Sequence, residues 1–138
     1  MEDVIPIIKD GKTYALFFRK DIRTEDGVRF PTPRDASLQV GVFDRDEGYI
    51  VKPHRHPERD LKITQTAEFL YVASGKAEVS IFDDAWNEIA KETVSQGDFV
   101  LLLLGGHSLR MLEQTRLVEV KQGPYPGEAD AKVFRDTI

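Results

Sequence analysis

All three histidines of this chain fall in two short stretches. His54 and His56 stand two apart in residues 49–56, Tyr-Ile-Val-Lys-Pro-His-Arg-His, which read as a β-strand. Alternate residues of a strand project to one face, so the two imidazoles are expected to point together. Two neutral imidazoles with a carboxylate nearby make a cation site. Glu68, ahead of Gly75, offers the carboxylate, and His107, following Gly97-Asp98 and Gly105-Gly106, offers a third imidazole. A His-x-His pair alone is more often just two polar surface residues. The joint pattern favours one divalent metal per chain. Nitrogen and oxygen donors suit Fe(II), Mn(II), Ni(II), Co(II), Zn(II) or Cu(II) alike, so the donor types do not choose among them.

The elements that must carry these residues are short. Apolar or alternating runs are punctuated by Gly, Asp, Asn and Pro every 8–12 residues or so, the all-β signature, and almost no helical period is present. Residues 4–8 and 13–19 flank Asp10-Gly11, a hairpin turn pair. Residues 38–43 and 49–56 read as strands, followed by the charged loop 57–65. Strands 67–73 and 77–82 surround Ser74-Gly75, and 88–94 returns from the loop 83–87. Residues 99–104 are apolar on both faces and so buried on both sides or covered by a partner. Strands 107–112 and 116–121 follow, before Gly123-Pro-Tyr-Pro-Gly127 ends regular pairing. About ten short strands imply a sandwich or a closed barrel, and closure would leave room for one small ligand.

The bulk numbers set limits. A length of 138 residues suits one domain with one sizeable core. A net charge of −5 with mixed signs presents no basic face, so nucleic acid is not expected as a partner. No cysteine is present, which removes thiolate ligands and disulfides and fits a reducing, cytoplasmic setting. No signal peptide is visible, and no apolar run is long enough to span a bilayer, so no membrane partner is expected.

The residues resemble the cupins. Gly48-x5-His54-x-His56 with Glu68-x6-Gly75 looks like the first cupin motif, and Gly97-Asp98 with Gly105-x-His107 looks like the second. The resemblance covers about residues 38–121. It implies a small double-stranded β-helix, the cupin jelly-roll barrel, with residues 1–37 as N-terminal strands beginning in a β-hairpin and 122–138 as a C-terminal tail. It also implies a metal held by His54, His56, Glu68 and His107. Three His and one Glu would leave one or two open positions on a five- or six-coordinate ion, and an open position suggests chemistry. The sequence departs from the family in three places. Eleven residues, 57–67, separate His56 from Glu68 where the family has three or four. Leu103 stands where the family has Pro, with one residue fewer between Gly105 and His107. Met111 stands where the family often has Asn. The long gap leaves Glu58 or Asp60 as alternative carboxylates, although Glu68 shares its face with Leu70 and Val72.

By strand parity, Ile50 and Lys52 accompany His54, Leu70 accompanies Glu68, and Met111 accompanies His107. Lys52, Leu70, Met111 and Glu119 are therefore candidate pocket residues. Glu119 and Lys121 read as a solvated face, or, turned inward, as an acid/base pair. Phe69 and Tyr71 lie opposite Glu68 and need cover, from the N-terminal hairpin or from a second copy in a C2 homodimer. The resemblance leads to a metal-dependent enzyme, of isomerase, epimerase or dioxygenase type, acting on a small polar molecule. Residues 119–125, Glu-Val-Lys-Gln-Gly-Pro-Tyr, are similar to bacterial cupins associated with surface-sugar biosynthesis, which implies a sugar-derived substrate. The alternatives are a non-catalytic cupin that binds a small ligand or a metal, and a metal-free sugar ketoisomerase-like cupin.

Overall fold

Asp10 and Gly11 both adopt positive φ, 52° and 73°, the type I′ geometry whose twist matches that of the flanking strands. They join β1 (Val4–Lys9) to β2 (Lys12–Phe18) in an antiparallel hairpin. The computed structural model describes residues 2–135, and nearly all of its regular structure is strand. The remaining strands are β3 (Val28–Arg29), β4 (Val42–Phe43), β5 (Glu68–Ser74), β6 (Lys76–Phe82), β7 (Glu88–Ser95), β8 (Phe99–Leu102), β9 (Gly106–Met111) and β10 (Arg116–Lys121). One helical turn, α1 (Glu128–Ala131), lies in the tail.

The strands form a five-stranded sheet, β1-β2-β8-β5-β10, a three-stranded sheet, β7-β6-β9, and the small pair β3-β4. All pairings are antiparallel. Tyr14, Phe17, Leu70, Val72, Val100 and Leu102 of the larger sheet share one core with Ala77, Val79, Ile81 and Val94 of the smaller. The two sheets therefore pack face to face. Among the described residues no ring of paired strands closes, so the expected barrel is observed as a two-sheet arrangement with free edges. Burying side chains such as Phe17, Val72, Val79 and Ile81 stabilises by roughly 1.5–3 kcal/mol each.

The outer face of the larger sheet carries a second core. Leu16, Phe18, Leu101 and Leu103 are buried there, with Phe69 and Phe99 packed against them. Phe99 stacks on Phe18 at 4.8 Å between ring centres and meets Phe69 at 5.6 Å. Ile22, Ala36, Leu38 and Val40 cover this surface. Cover for Phe69 thus includes the chain's own segment 22–40. That segment lies beyond the N-terminal hairpin, and no second copy is needed for this part. The covering also accounts for residues 99–104, whose two apolar faces call for burial on both sides: β8 is buried on both sides. It ends at Leu102 because the amides of Leu103 and Leu104 both turn to the Tyr14 carbonyl.

Two sequence expectations do not hold. Residues 38–43 pair only over β4, and residues 49–56 are in no strand. Every residue from 49 to 64 is exposed, including Ile50 at 77%. Pro53 and Pro57 lack the N–H donors a ladder needs, and the charged residues around them favour water.

Side chains tie the sheets at one edge. Lys9 at the end of β1 pairs with Asp83 in the β6–β7 loop. Arg19, just after β2, donates to the Thr93 carbonyl at 2.8 Å and lies 3.5 Å from Glu92 and Asp98. Asp98 is buried, and its carboxylate accepts from the amides of Lys20 and Ser95 at 2.9 and 2.8 Å. The Gly97-Asp98 turn is held by this carboxylate.

Asp83 also accepts from the amides of Ala85 and Asn87. The Lys9 ammonium, followed by the Asn87 amide, holds its carboxyl far below the ordinary 3.8. A depressed carboxyl contributes stability that is complete above pH 3.8 and is lost as pH falls towards the folded value. The same pairing raises Lys9 above 10.5, so that contribution is complete below pH 10.5 and is lost as pH rises towards the raised value. Asp83→Asn is expected to lower the melting temperature at pH 7 and to flatten its decline between about pH 4 and 2. Calorimetry across that range tests this; an acid decline in the variant as steep as in the parent would refute the assignment.

Candidate functional site at the open edge

Glu68 opens β5, and the register with β10 fixes what surrounds it. The cross-strand pairs are Glu68↔Lys121, Leu70↔Glu119 and Val72↔Leu117. Directly opposed residues project to the same face. Leu70 and Val72 are in the core between the sheets, so Glu68, Glu119 and Lys121 share that inward side. Glu119 and Lys121 are therefore turned towards the inter-sheet edge, the less favoured of the two sequence expectations. They remain half-exposed because β10 is an edge strand, and their charged groups lie 3.5 Å apart.

The other sheet contributes His107. On β9, His107 opposes Ile81, Leu109 opposes Val79, and Met111 opposes Ala77. All three partners are buried between the sheets, so His107 faces Glu68 from across the core. The chain reaches this position through Gly105 and Gly106. Gly105 takes φ of 67°, and a Cβ there would fall 2.2 Å from the Phe82 carbonyl oxygen. A Cβ on Gly106 would fall 2.5 Å from the Trp86 ring. Neither position admits a larger residue, so the turn delivers His107 to the edge.

His107 Nε2 lies 3.4 Å from Glu68 Oε2. Both side chains are largely enclosed, at 29% and 16% exposure. The His107 imidazole holds the Glu68 carboxyl below its ordinary range, with Lys121 and Lys132 assisting against the opposing effect of burial. The edge thus gathers two carboxylates, an imidazole and an ammonium from three strands. Beside it, a cavity of about 290 Å³ opens between residues 63–66 and the tail, bordered by Lys121, Gln122 and Asp130. The buried Gln122 Oε1 there has no hydrogen-bond partner among the described residues.

His54 and His56 do meet each other. Their rings are 5.4 Å apart, edge to face, and His54 Nδ1 lies 2.7 Å from the Lys52 carbonyl oxygen. The meeting does not come from strand parity, since the segment is irregular. The four expected donors therefore stand as two pairs. No group of three or more His, Asp or Glu side chains able to hold an ion occurs among the described residues. The other candidates divide. Leu70 is in the core rather than on a pocket floor, Met111 is half-exposed at the rim, and Lys52, Glu58 and Asp60 are in water. Lys132, which acts on Glu68, carried no sequence signal because it lies beyond the last strand.

Comparison with family models, with curated proteins and with solved structures finds no match in any of the three. No helix of the described residues is long and apolar enough to cross a membrane.

Backbone without ladder partners opens to proteases first. Trypsin is expected to cut after Arg55, Arg59 or Lys62 before any other bond, Lys52 being protected by the following Pro53. Mass spectrometry of the earliest fragments checks this; first cleavage within residues 67–121 would contradict the irregular state of the segment.

Proposed function

We propose that the chain is a cupin-type protein that acts on a small polar, sugar-derived molecule at the edge where Glu68 meets His107. The observation that carries this reading is the convergence of an enclosed carboxylate and an enclosed imidazole from opposite sheets, beside a small cavity. In this reading the two sheets are the jelly roll, and a divalent cation is held by Glu68, His107, His54 and His56. Two donors that each lie about 2.0–2.2 Å from one ion stand roughly 3 Å apart, which the Glu68–His107 separation approaches. His54 and His56 fit by donor type but belong to an unpaired segment. Completing the ligand set requires that segment to come onto the edge. A bound ion would polarise a carbonyl or hydroxyl as a Lewis acid. The chain's own groups would do the rest: Lys121 attracts an anionic substituent, Glu119 accepts a proton, and Leu109 and Met111 exclude water from one side.

A second reading has support of its own. Glu68 and His107 already form a pair, and their side chains could act as acid and base with no metal, in the manner of a sugar ketoisomerase-like cupin. A non-catalytic binder would use the same edge without turnover. Elemental analysis of purified protein separates these. The expected result is about one divalent ion per chain, lost in the His54→Ala/His56→Ala variant and weakened in Glu68→Ala. An ion at hundredfold excess over its dissociation constant should stabilise by about 2.7 kcal/mol and slow tryptic cleavage in residues 55–62. Full retention of metal by the double variant would sink the four-ligand site. A metal-free protein that turns over substrate and loses activity in His107→Ala would establish the second reading.

A homodimer is also proposed. Tyr71, Val118 and Val120 form an apolar strip on the outer face of the β5–β10 edge, with exposures of 40%, 47% and 53%. Such strips are usually covered, and β10 is a free edge that a second copy can meet about a two-fold axis. Light scattering is expected to give a dimer that Val118→Lys/Val120→Lys converts to monomer; a monomeric parent at micromolar concentration would remove the proposal.

A further inference from the structure

A second concavity opens beside the β1–β2 turn. A cleft of about 670 Å³ lies between that turn, residues 33–39 and residues 59–65. The volume suits one small organic molecule. Lys12, Arg34, Arg59 and Lys62 line it, with Asp35 as the one carboxylate. That leaves a local charge of +3 in a chain whose net charge is −5. None of the four cations makes an ion pair among the described residues. Like charges drawn into one concavity repel, and low-dielectric walls strengthen the field between them. An anion relieves that repulsion.

The walls differ in how firmly they are held. Residues 33–39 are pinned by Gln39, whose side-chain amide donates to the carbonyls of Pro33 and Ala36 at 2.9 and 3.1 Å. Thr32 donates its hydroxyl to the same Gln39 side chain. Arg34 is therefore presented from a fixed turn. Arg59 and Lys62 come from the unpaired segment opposite. Leu103 and Leu104 form an apolar floor. Guanidinium groups bind phosphate oxygens in bidentate fashion, and lysine adds a point charge. We propose that this cleft binds a small phosphorylated organic anion, with the phosphate between Arg34, Arg59 and Lys62 and the organic part on the leucine floor. None of Glu68, His107, His54 and His56 lines the cleft, although Arg59 and Lys62 share the irregular segment that carries His54 and His56.

Titration calorimetry with inorganic pyrophosphate at low salt tests it. Binding at one site per chain is expected, weakening steeply as ionic strength rises. The Arg34→Gln/Arg59→Gln variant should lose about tenfold or more in affinity, the scale of losing charge-assisted hydrogen bonds. The His54→Ala/His56→Ala variant and the surface variant Arg110→Gln/Arg116→Gln should bind as the parent does. Circular dichroism spectra matching the parent's confirm that each variant is folded. No binding by the parent overturns the proposal. So does equal weakening by the Arg110/Arg116 pair, which would mark general charge attraction. Loss confined to the histidine variant would move the anion to a metal centre and equally overturn it. A last comparison of glucose 6-phosphate with glucose is expected to show binding of the ester alone; equal binding of both removes the phosphate from the recognition.

Discussion

β5 is hydrogen-bonded on both sides, to β8 through Glu68↔Leu102 and to β10 through Glu68↔Lys121. That double register leaves the strand no freedom to slip by one residue. A slip would send Leu70 and Val72 out of the core and bring Phe69 and Tyr71 into it. The apolar cost of such an exchange fixes the direction of Glu68, although Glu68 itself contributes nothing apolar. The same constraint passes through the ladder to Glu119 and Lys121. The polar groups at the edge are aimed by their neighbours' hydrophobicity.

The two long margins of the paired sheets are built differently. At the β1–β7 margin, Lys9 with Asp83 and Arg19 with Glu92 and Asp98 lace the sheets together. Asp83 and Asp98 also accept backbone amides there, so these carboxylates serve the turns that hold the hairpins in place. At the β9–β10 margin the crossing contact is Glu68 with His107, and the flanking charges are half in water. One margin is fastened and the other is accessible, which is where chemistry can be carried without loosening the core.

Much of this was legible in the sequence. Residues 116–121 read as a strand and form β10 over that same span. The double-sided apolar run after Asp98 foretold a strand covered on both faces. The leucine and valine companions of Glu68 favour it over Glu58 and Asp60, and packing of those companions turns it inward. Other features depend on partners that no local pattern names. The inward aim of Glu119 and Lys121 follows from register with β5. The cover over Phe69 comes from residues some thirty positions or more upstream, in a stretch with almost no regular structure. Residues 49–56 carry an alternation that suits a strand, yet two prolines and a charged surround leave it without a ladder. The basic cleft has no local sequence pattern because its cations are scattered from Lys12 to Lys62, and composition averages such groups away.

Trp86 is the chain's one tryptophan, and its indole is pressed against Gly106, the residue preceding His107. It also lies 6.1 Å from the Phe82 ring, in a loop where it takes φ of 66°. The close fit leaves no slack between the indole and the backbone that carries the imidazole. The molecule thus contains its own optical gauge. Emission from a single fluorophore, without any label, follows the polarity and movement of the turn that presents His107, and does so free of background from any second indole.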